Sequence, residues 1–296
     1  MDETGDSVVC DETLLDRFRE RGELTRRELA GLSAGAAAAW LLPRAAHALE
    51  VGAHEIDVPT PDGIADCHFV HPVEGAHAGV LIWPDARGLR SVYRQMAARL
   101  AEAGHAVLVV NPYYRGRRAP VLEEGARASD PGTMEILRPL LATLSPQTHV
   151  SDSIALLAFL DTQASVDTSR KVGVMGYCLG GPIALRAAAA VPERVGAAAS
   201  FHGIRLVTDE PESPHRLAPQ MRGRFLIAIA EDDDAREPEA KQALRAAFAS
   251  AGLSAEIEVY AGAMHSWCTA DSPVHNAEQA ERAWGRLTAL FDAALT

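Results

Sequence analysis

The chain has 296 residues, 48% hydrophobic and 23% charged, with a formal net charge of -12. That length and apolar content suit one large globular domain and exclude an extensively disordered chain. The acidic balance, with a sequence pI near 5.4, argues against a nucleic-acid partner and for an ordinary soluble surface.

The first segment stands apart from the rest. Thr25-Arg26-Arg27-Glu28-Leu29 precedes a small apolar run from Ala30 to Leu42, and Ala46-His47-Ala48 offers the small residues a signal peptidase selects. Paired arginines ahead of a short, weakly apolar segment resemble a twin-arginine export signal. Residues 1–48 are therefore expected to be removed, leaving a mature protein of residues 49–296 in the periplasm or outside the cell. The run is too short for a stable transmembrane helix, so no membrane is expected for the mature form. The alternative is an alanine-rich helix retained on a cytoplasmic protein.

From Glu50 onward strand-like and helix-like segments alternate. Glu55 to Val58 and Asp66 to Val70 flank the turn Thr60-Pro61-Asp62-Gly63, which predicts an antiparallel hairpin. Gly79-Val80-Leu81-Ile82-Trp83 is a continuous apolar run, as expected of a strand covered on both faces. Ser91 to Ala103 reads as a helix closed by Gly104, with Val92, Met96 and Leu100 on one face, and the strand His105 to Val110 follows. Gly116 to Pro146, rich in Gly, Pro and charge, reads as a long irregular stretch and a candidate lid. A helix from about His149 to Gln163, the strand Lys171 to Met175 and a helix from Leu179 to Ala190 come next. Strands Val195 to Ser200, Arg224 to Ile229 and Ala255 to Tyr260 follow, with a helix from about Pro238 to Ala251 before the last of them. A terminal helix spans Asn276 to Leu295. This alternation predicts an α/β fold: a doubly wound, mostly parallel sheet with helices on both faces and active groups at the carboxyl ends of its strands.

The chemistry gathers around Val174-Met175-Gly176-Tyr177-Cys178-Leu179-Gly180-Gly181. An apolar β-prone run stops at a glycine, presents one thiol and passes into an alanine-rich helix, the pattern of a nucleophile elbow carrying cysteine. Such a sharp turn leaves no room for flanking side chains, and the helix start favours a thiolate or an oxyanion. A buried cysteine in a glycine-rich turn is the bland alternative. A nucleophile of this kind needs a base and a group to hold the base, and the fold places them after later strands in the order nucleophile, acid, histidine. Ala230-Glu231-Asp232-Asp233-Asp234 and Gly262-Ala263-Met264-His265 fall at those places; Asp233 is chosen as the acid with Asp232 second, and His265 as the base. His202, which follows another strand, is the rival base or a residue lining the pocket. Four cysteines without a CxxC pair indicate neither a disulfide framework nor a zinc ribbon, and leave a Cys67–Cys268 pairing open. No HExxH pattern points to a metal, and no cofactor is expected.

Taken in order, Trp83-Pro84-Asp85, Asn111-Pro112-Tyr113-Tyr114-Arg115, Gly176-Tyr177-Cys178-Leu179-Gly180-Gly181 and Tyr260-Ala261-Gly262-Ala263-Met264-His265 resemble the dienelactone hydrolase (carboxymethylenebutenolidase) family, within the α/β-hydrolase superfamily. The resemblance runs from about residue 55 to the end. It implies hydrolysis of a small lactone or carboxylic ester through an acyl-enzyme, with Cys178 attacking, His265 moving the proton and Asp233 orienting His265. The oxyanion donors would be the amides of Leu179 and Ala86. The family places a glutamate beside the cysteine for thiol control, and Asp85 stands there one methylene shorter. An arginine commonly follows the histidine in the family, whereas Ser266-Trp267-Cys268-Thr269 stands here. Arg115, with Arg117 and Arg118 beside Tyr113 and Tyr114, is a candidate for a substrate carboxylate, with Tyr114 a substrate-binding residue next to it, and Trp267 and Trp83 are candidates for apolar walls. A monomer or small homo-oligomer is expected. A thiol redox protein resolved by Cys268 or Cys67, and a non-catalytic ligand-binding member of the fold, are the readings from other classes.

Overall fold

The computed structural model describes residues 48–127 and 130–296. The paired arginines and the rest of the expected export segment before Ala48 lie outside the described residues.

Eight strands form one sheet in the order β1-β2-β4-β3-β5-β6-β7-β8. The strands are β1 Val51–Thr60, β2 Gly63–Pro72, β3 Ala78–Trp83, β4 His105–Val110, β5 Val172–Tyr177, β6 Val195–Phe201, β7 Arg224–Ala230 and β8 Ser254–Tyr260. β1 and β2 form the predicted hairpin, antiparallel to each other, and β2 pairs antiparallel with β4. All later pairings are parallel. The hairpin is longer than its apolar alternation suggested because backbone pairing continues to Thr60↔Gly63 at one end and Val51↔Pro72 at the other.

The helices are α1 Ser91–Glu102, α2 Thr133–Leu141, α3 Pro146–Leu160, α4 Gly180–Ala190, α5 Glu231–Arg236, α6 Ala240–Ser250 and α7 Ala277–Ala294. α1 and α7 cover one face of the sheet, burying Val92, Tyr93, Leu100, Leu287 and Phe291 against Val80, Val107 and Met175. α2, α3, α4 and α6 cover the other, where Leu137, Leu156, Ile183 and Phe248 meet Leu81, Val174 and Ile227. The continuous apolar runs of the central strands follow from this, since both faces are dry. Among the described residues, no helix is long and apolar enough to cross a membrane.

Two segments depart from the sequence reading. The stretch expected to be irregular contains α2, whose Leu137, Leu140 and Leu141 are buried, so that part of the candidate lid is core. Pro139 inside the helix masked an apolar face whose spacing is helical. The acidic run 231–234, to which the sequence assigned no helix, is the first turn of α5. Four carboxylates there are tolerated because a helix start favours negative charge.

The topology also selects a place for a site. From β3 the chain winds to β4 on one side, and then returns to lay β5 on the other side of β3. Such a reversal opens a crevice at the carboxyl ends of the adjacent strands. Asp85 and Ala86 follow β3, and Cys178 follows β5.

Candidate active site

Cys178 occupies the apex of the turn between β5 and α4 with φ 53, in the left-handed region that a residue with a Cβ enters at a cost of about 1 kcal/mol or more. The glycines around it are required by contact. A Cβ on Gly176 would lie 2.0 Å from the carbonyl oxygen of Gly180, and one on Gly180 would lie 2.2 Å from that of Trp83. The turn is thus pressed against its own helix and against the end of β3. The Cys178 amide donates to Phe201 O at 3.0 Å and to His202 Nδ1 at 3.2 Å, which ties the apex to β6.

His265 follows β8 and is buried, with its ring Nδ1 hydrogen-bonded to Asp233 Oδ2 at 2.7 Å. The neighbouring Asp232 does a different job, its Oδ1 accepting the His265 backbone amide at 2.7 Å. Arg236, one turn further along α5, reaches Asp232 Oδ2 and Asp233 Oδ1, both at 3.3 Å. Glu231 Oε2 accepts the Gly262 amide at 2.6 Å, so successive acids of α5 grip the loop that carries His265. Burial alone would lower the proton affinity of this imidazole. The charge of Cys178, that of Asp233 and hydrogen bonds to both outweigh it, and raise His265 from 6.5 to about 9. Cys178, His265 and Asp233 therefore form one hydrogen-bonded chain.

The loop between β3 and α1 completes the arrangement. Its amides are used one after another: Asp85 N–H donates to Tyr93 Oη at 3.0 Å, Arg87 N–H to Asp85 Oδ1 at 2.9 Å, and Gly88 N–H to Asp85 O at 2.9 Å. The amides of Ala86 and Leu179 find no acceptor among the described residues. Two N–H groups without a protein acceptor beside a strained cysteine are able to receive a negatively charged oxygen. Tyr113 Oη donates to Ala86 O at 2.8 Å and fixes the orientation of that peptide.

Other expected site residues stand elsewhere. Asp85 does not face the thiol with a free carboxylate; Arg90 holds it bidentately at 2.8 and 2.9 Å, and this pairing keeps its carboxyl well below the usual range despite burial. Arg115 gives four of its five N–H donors to Asp62 and Asp152 and stacks on Tyr114, so its charge is already paired within the protein and one NH1 donor remains. Tyr114 Oη belongs to the same group, donating to Asp152 Oδ1 at 2.8 Å. Those acids lie on the hairpin turn and on α3, distant in sequence, and their nearness was not legible from spacing. Arg117 of the same cluster is exposed and makes no ion pair among the described residues. Trp267 is fully buried, stacked on Tyr260 and edge-on to His202, so it supports the site from beneath and offers no wall to a ligand. His202 is likewise fully buried, its ring centroid 4.8 Å from that of His265. The Asp233 carboxylate is hydrogen-bonded to the His265 ring. Cys67, Cys178 and Cys268 are free thiols, so the pairing of Cys67 with Cys268 is absent. Burial pushes both Cys67 and Cys268 up, which disfavours the thiolate that a resolving cysteine needs.

The model of the dienelactone hydrolase family matches residues 66–295. A carboxymethylenebutenolidase of Rhodococcus opacus is 30% identical over 235 residues, 77% of this chain and 86% of that protein. Among solved structures, a Klebsiella pneumoniae protein classed as a dienelactone hydrolase superposes with a TM-score of 0.71 at 20% identity, covering 82% of this chain and 99% of the other. A dienelactone hydrolase-like promiscuous phosphotriesterase from metagenomic libraries gives 0.66 at 22% identity, covering 83% and 99%. At these identities the two structures speak for the α/β-hydrolase fold.

Proposed function

The chain belongs to the dienelactone hydrolase family and is a hydrolase of ester or lactone bonds, and from that premise we propose that it works through a Cys178 thioester. Cys178 Sγ attacks the carbonyl carbon, and the oxygen, now negative, accepts from Leu179 N–H and Ala86 N–H. Protonated His265 passes its proton to the departing alkoxide, which stays tethered when the substrate is a lactone. Neutral His265 then takes a proton from water, the hydroxide adds to the thioester, and the acid leaves as Cys178 is regenerated. Asp233 holds the His265 ring with Nε2 toward the sulfur throughout. The observation that carries this reading is the hydrogen-bonded chain Cys178–His265–Asp233 beside two unengaged amides.

The direct test is rapid mixing with p-nitrophenyl acetate. A burst of one p-nitrophenolate per protein is expected, with a 42 Da acetyl adduct, the mass of the transferred group in an acylation, mapping to Cys178 by mass spectrometry. Turnover on esters and lactones with no adduct on Cys178 sinks the proposal.

The proton affinity of His265 supplies a second test. Its rise owes much to the Cys178 charge, which disappears on acylation, so the imidazole turns from acid into base at the step that needs a base. In the free enzyme kcat/KM is expected to hold through neutrality and fall as pH rises past about 9, when the imidazolium proton is lost. The single-turnover deacylation rate should instead rise with pH, with a midpoint below that of the free enzyme. Coincident midpoints would remove the proposed coupling between thiolate and imidazole.

A further inference from the structure

Asp85, Arg87, Arg90 and Asp271 form a closed group of two acids and two bases. Arg90 NH1 and NH2 meet Asp85 Oδ1 and Oδ2 at 2.8 and 2.9 Å, while Arg90 Nε reaches Asp271 Oδ2 at 2.6 Å and NH2 reaches Asp271 Oδ1 at 3.2 Å. A last bond runs from Arg90 NH1 to Gly88 O at 3.2 Å. All five N–H donors of a guanidinium are thereby committed. Arg87 NH2 adds a bond to Asp271 Oδ1 at 3.0 Å, and the Arg90 guanidinium lies 4.9 Å from the centroid of the Tyr93 ring, whose hydroxyl accepts the Asp85 amide.

The group joins two loops far apart in the chain. Asp85 immediately precedes Ala86, the second oxyanion donor of the reading above, and Asp271 lies on the loop that follows His265. Asp85 and Arg90 are 4% and 8% exposed, so the bonds act in a medium where charged pairing is strong and an unpaired charge is costly. The charges of the group cancel within it, which leaves little field to act on the thiol some residues away. We propose that the Asp85–Arg90–Asp271 bridge is a latch that sets the Ala86 amide at its working distance from Cys178 and His265, so that Asp85 and Asp271 are positioning residues for the oxyanion. This differs from the thiol-control part expected of Asp85 from sequence. It rests on the acyl-transfer reading.

The latch is tested with Asp85→Asn and Asp271→Asn, the second altering a partly exposed side chain that the fold tolerates more easily. In both variants the rate of the p-nitrophenyl acetate burst is expected to fall about 10- to 100-fold, less than the loss of a whole oxyanion donor. The rate of Cys178 alkylation by iodoacetamide, and its pH midpoint, should stay at the wild-type value, because alkylation forms no oxyanion. The double variant should be no slower than the slower single, as expected of residues acting through one bridge. A shifted alkylation midpoint in Asp85→Asn alone would restore thiol control and overturn the latch. So would a wild-type burst rate in Asp271→Asn, or lowered melting temperatures with unchanged burst rates. The acyl adduct on wild-type Cys178 separates these outcomes from failure of the acyl-transfer reading, which would abolish the burst in wild type as well.

Discussion

Cys178→Ala is expected to lower kcat/KM on p-nitrophenyl acetate and on a dienelactone by roughly 10⁴- to 10⁶-fold, the scale on which removal of a covalent nucleophile acts. The substitution removes one sulfur from a turn whose geometry the neighbouring glycines and the Phe201 carbonyl already hold, so folding should be unaffected. Relief of the positive φ is not part of the change, because alanine pays the same steric cost as cysteine there. Cys178→Ser should recover only a small part of the loss. Its hydroxyl is far less acidic than a thiol, and His265 is poised here to stand beside an anion, as its raised proton affinity reflects. Combining Cys178→Ala with His265→Ala should cost little beyond the single change, since both act in one chain of proton transfer. Full activity in Cys178→Ala would mean that another group attacks. Ligand binding unchanged in that variant, with no turnover by wild type, would instead favour the non-catalytic member of the fold.

The second large effect is that of Asp233→Asn, expected to lower kcat by about 10³- to 10⁴-fold with little change in KM. The 2.7 Å bond from His265 Nδ1 to Asp233 Oδ2 holds the ring with Nε2 toward Cys178, and an asparagine amide that presents its NH2 would favour the opposite tautomer. The sign of the accompanying pH effect follows from the same contact. Asp233 is one of the groups raising His265, so its removal should bring the alkaline limb of kcat/KM down from about 9. Asp232→Asn weakens the bond to the His265 backbone amide and the ion pair with Arg236, leaves the His265 ring bond in place, and should cost about tenfold or less. Equal losses in the two variants would contradict the division of labour between these adjacent acids. The comparison is informative because both carboxylates lie in the first turn of α5, share Arg236, and differ mainly in which atom of His265 they hold.

The sequence by itself determined the turn around Cys178, because its glycine pattern is read within a few residues, although only part of its cause is local: a Cβ on Gly176 would meet Gly180 O at 2.0 Å, while one on Gly180 would meet Trp83 O, on another strand, at 2.2 Å. It also determined the central strands, whose unbroken apolar runs reflect burial on both faces, and the order in which Cys178, Asp233 and His265 are met. The tertiary structure alone decided which charges are free. Arg115 is paired with Asp62 and Asp152, and Asp85 with Arg90 and, through it, Asp271. Asp85 and Arg90 are 5 residues apart, but the other partners meet across 37 to 181 residues of chain, at distances set by how hairpin, helix and loop pack on the sheet. A basic cluster or a carboxylate beside a thiol reads the same in sequence whether it faces a substrate or a counter-ion. The same holds for Trp267, whose burial against Tyr260 comes from the fold of the loop after His265, and for α2, whose proline concealed a helix that only contact with the core stabilises. Covalent nearness made the nucleophile turn legible, while electrostatic pairing, which depends on distance in space, was settled only when the chain closed around it.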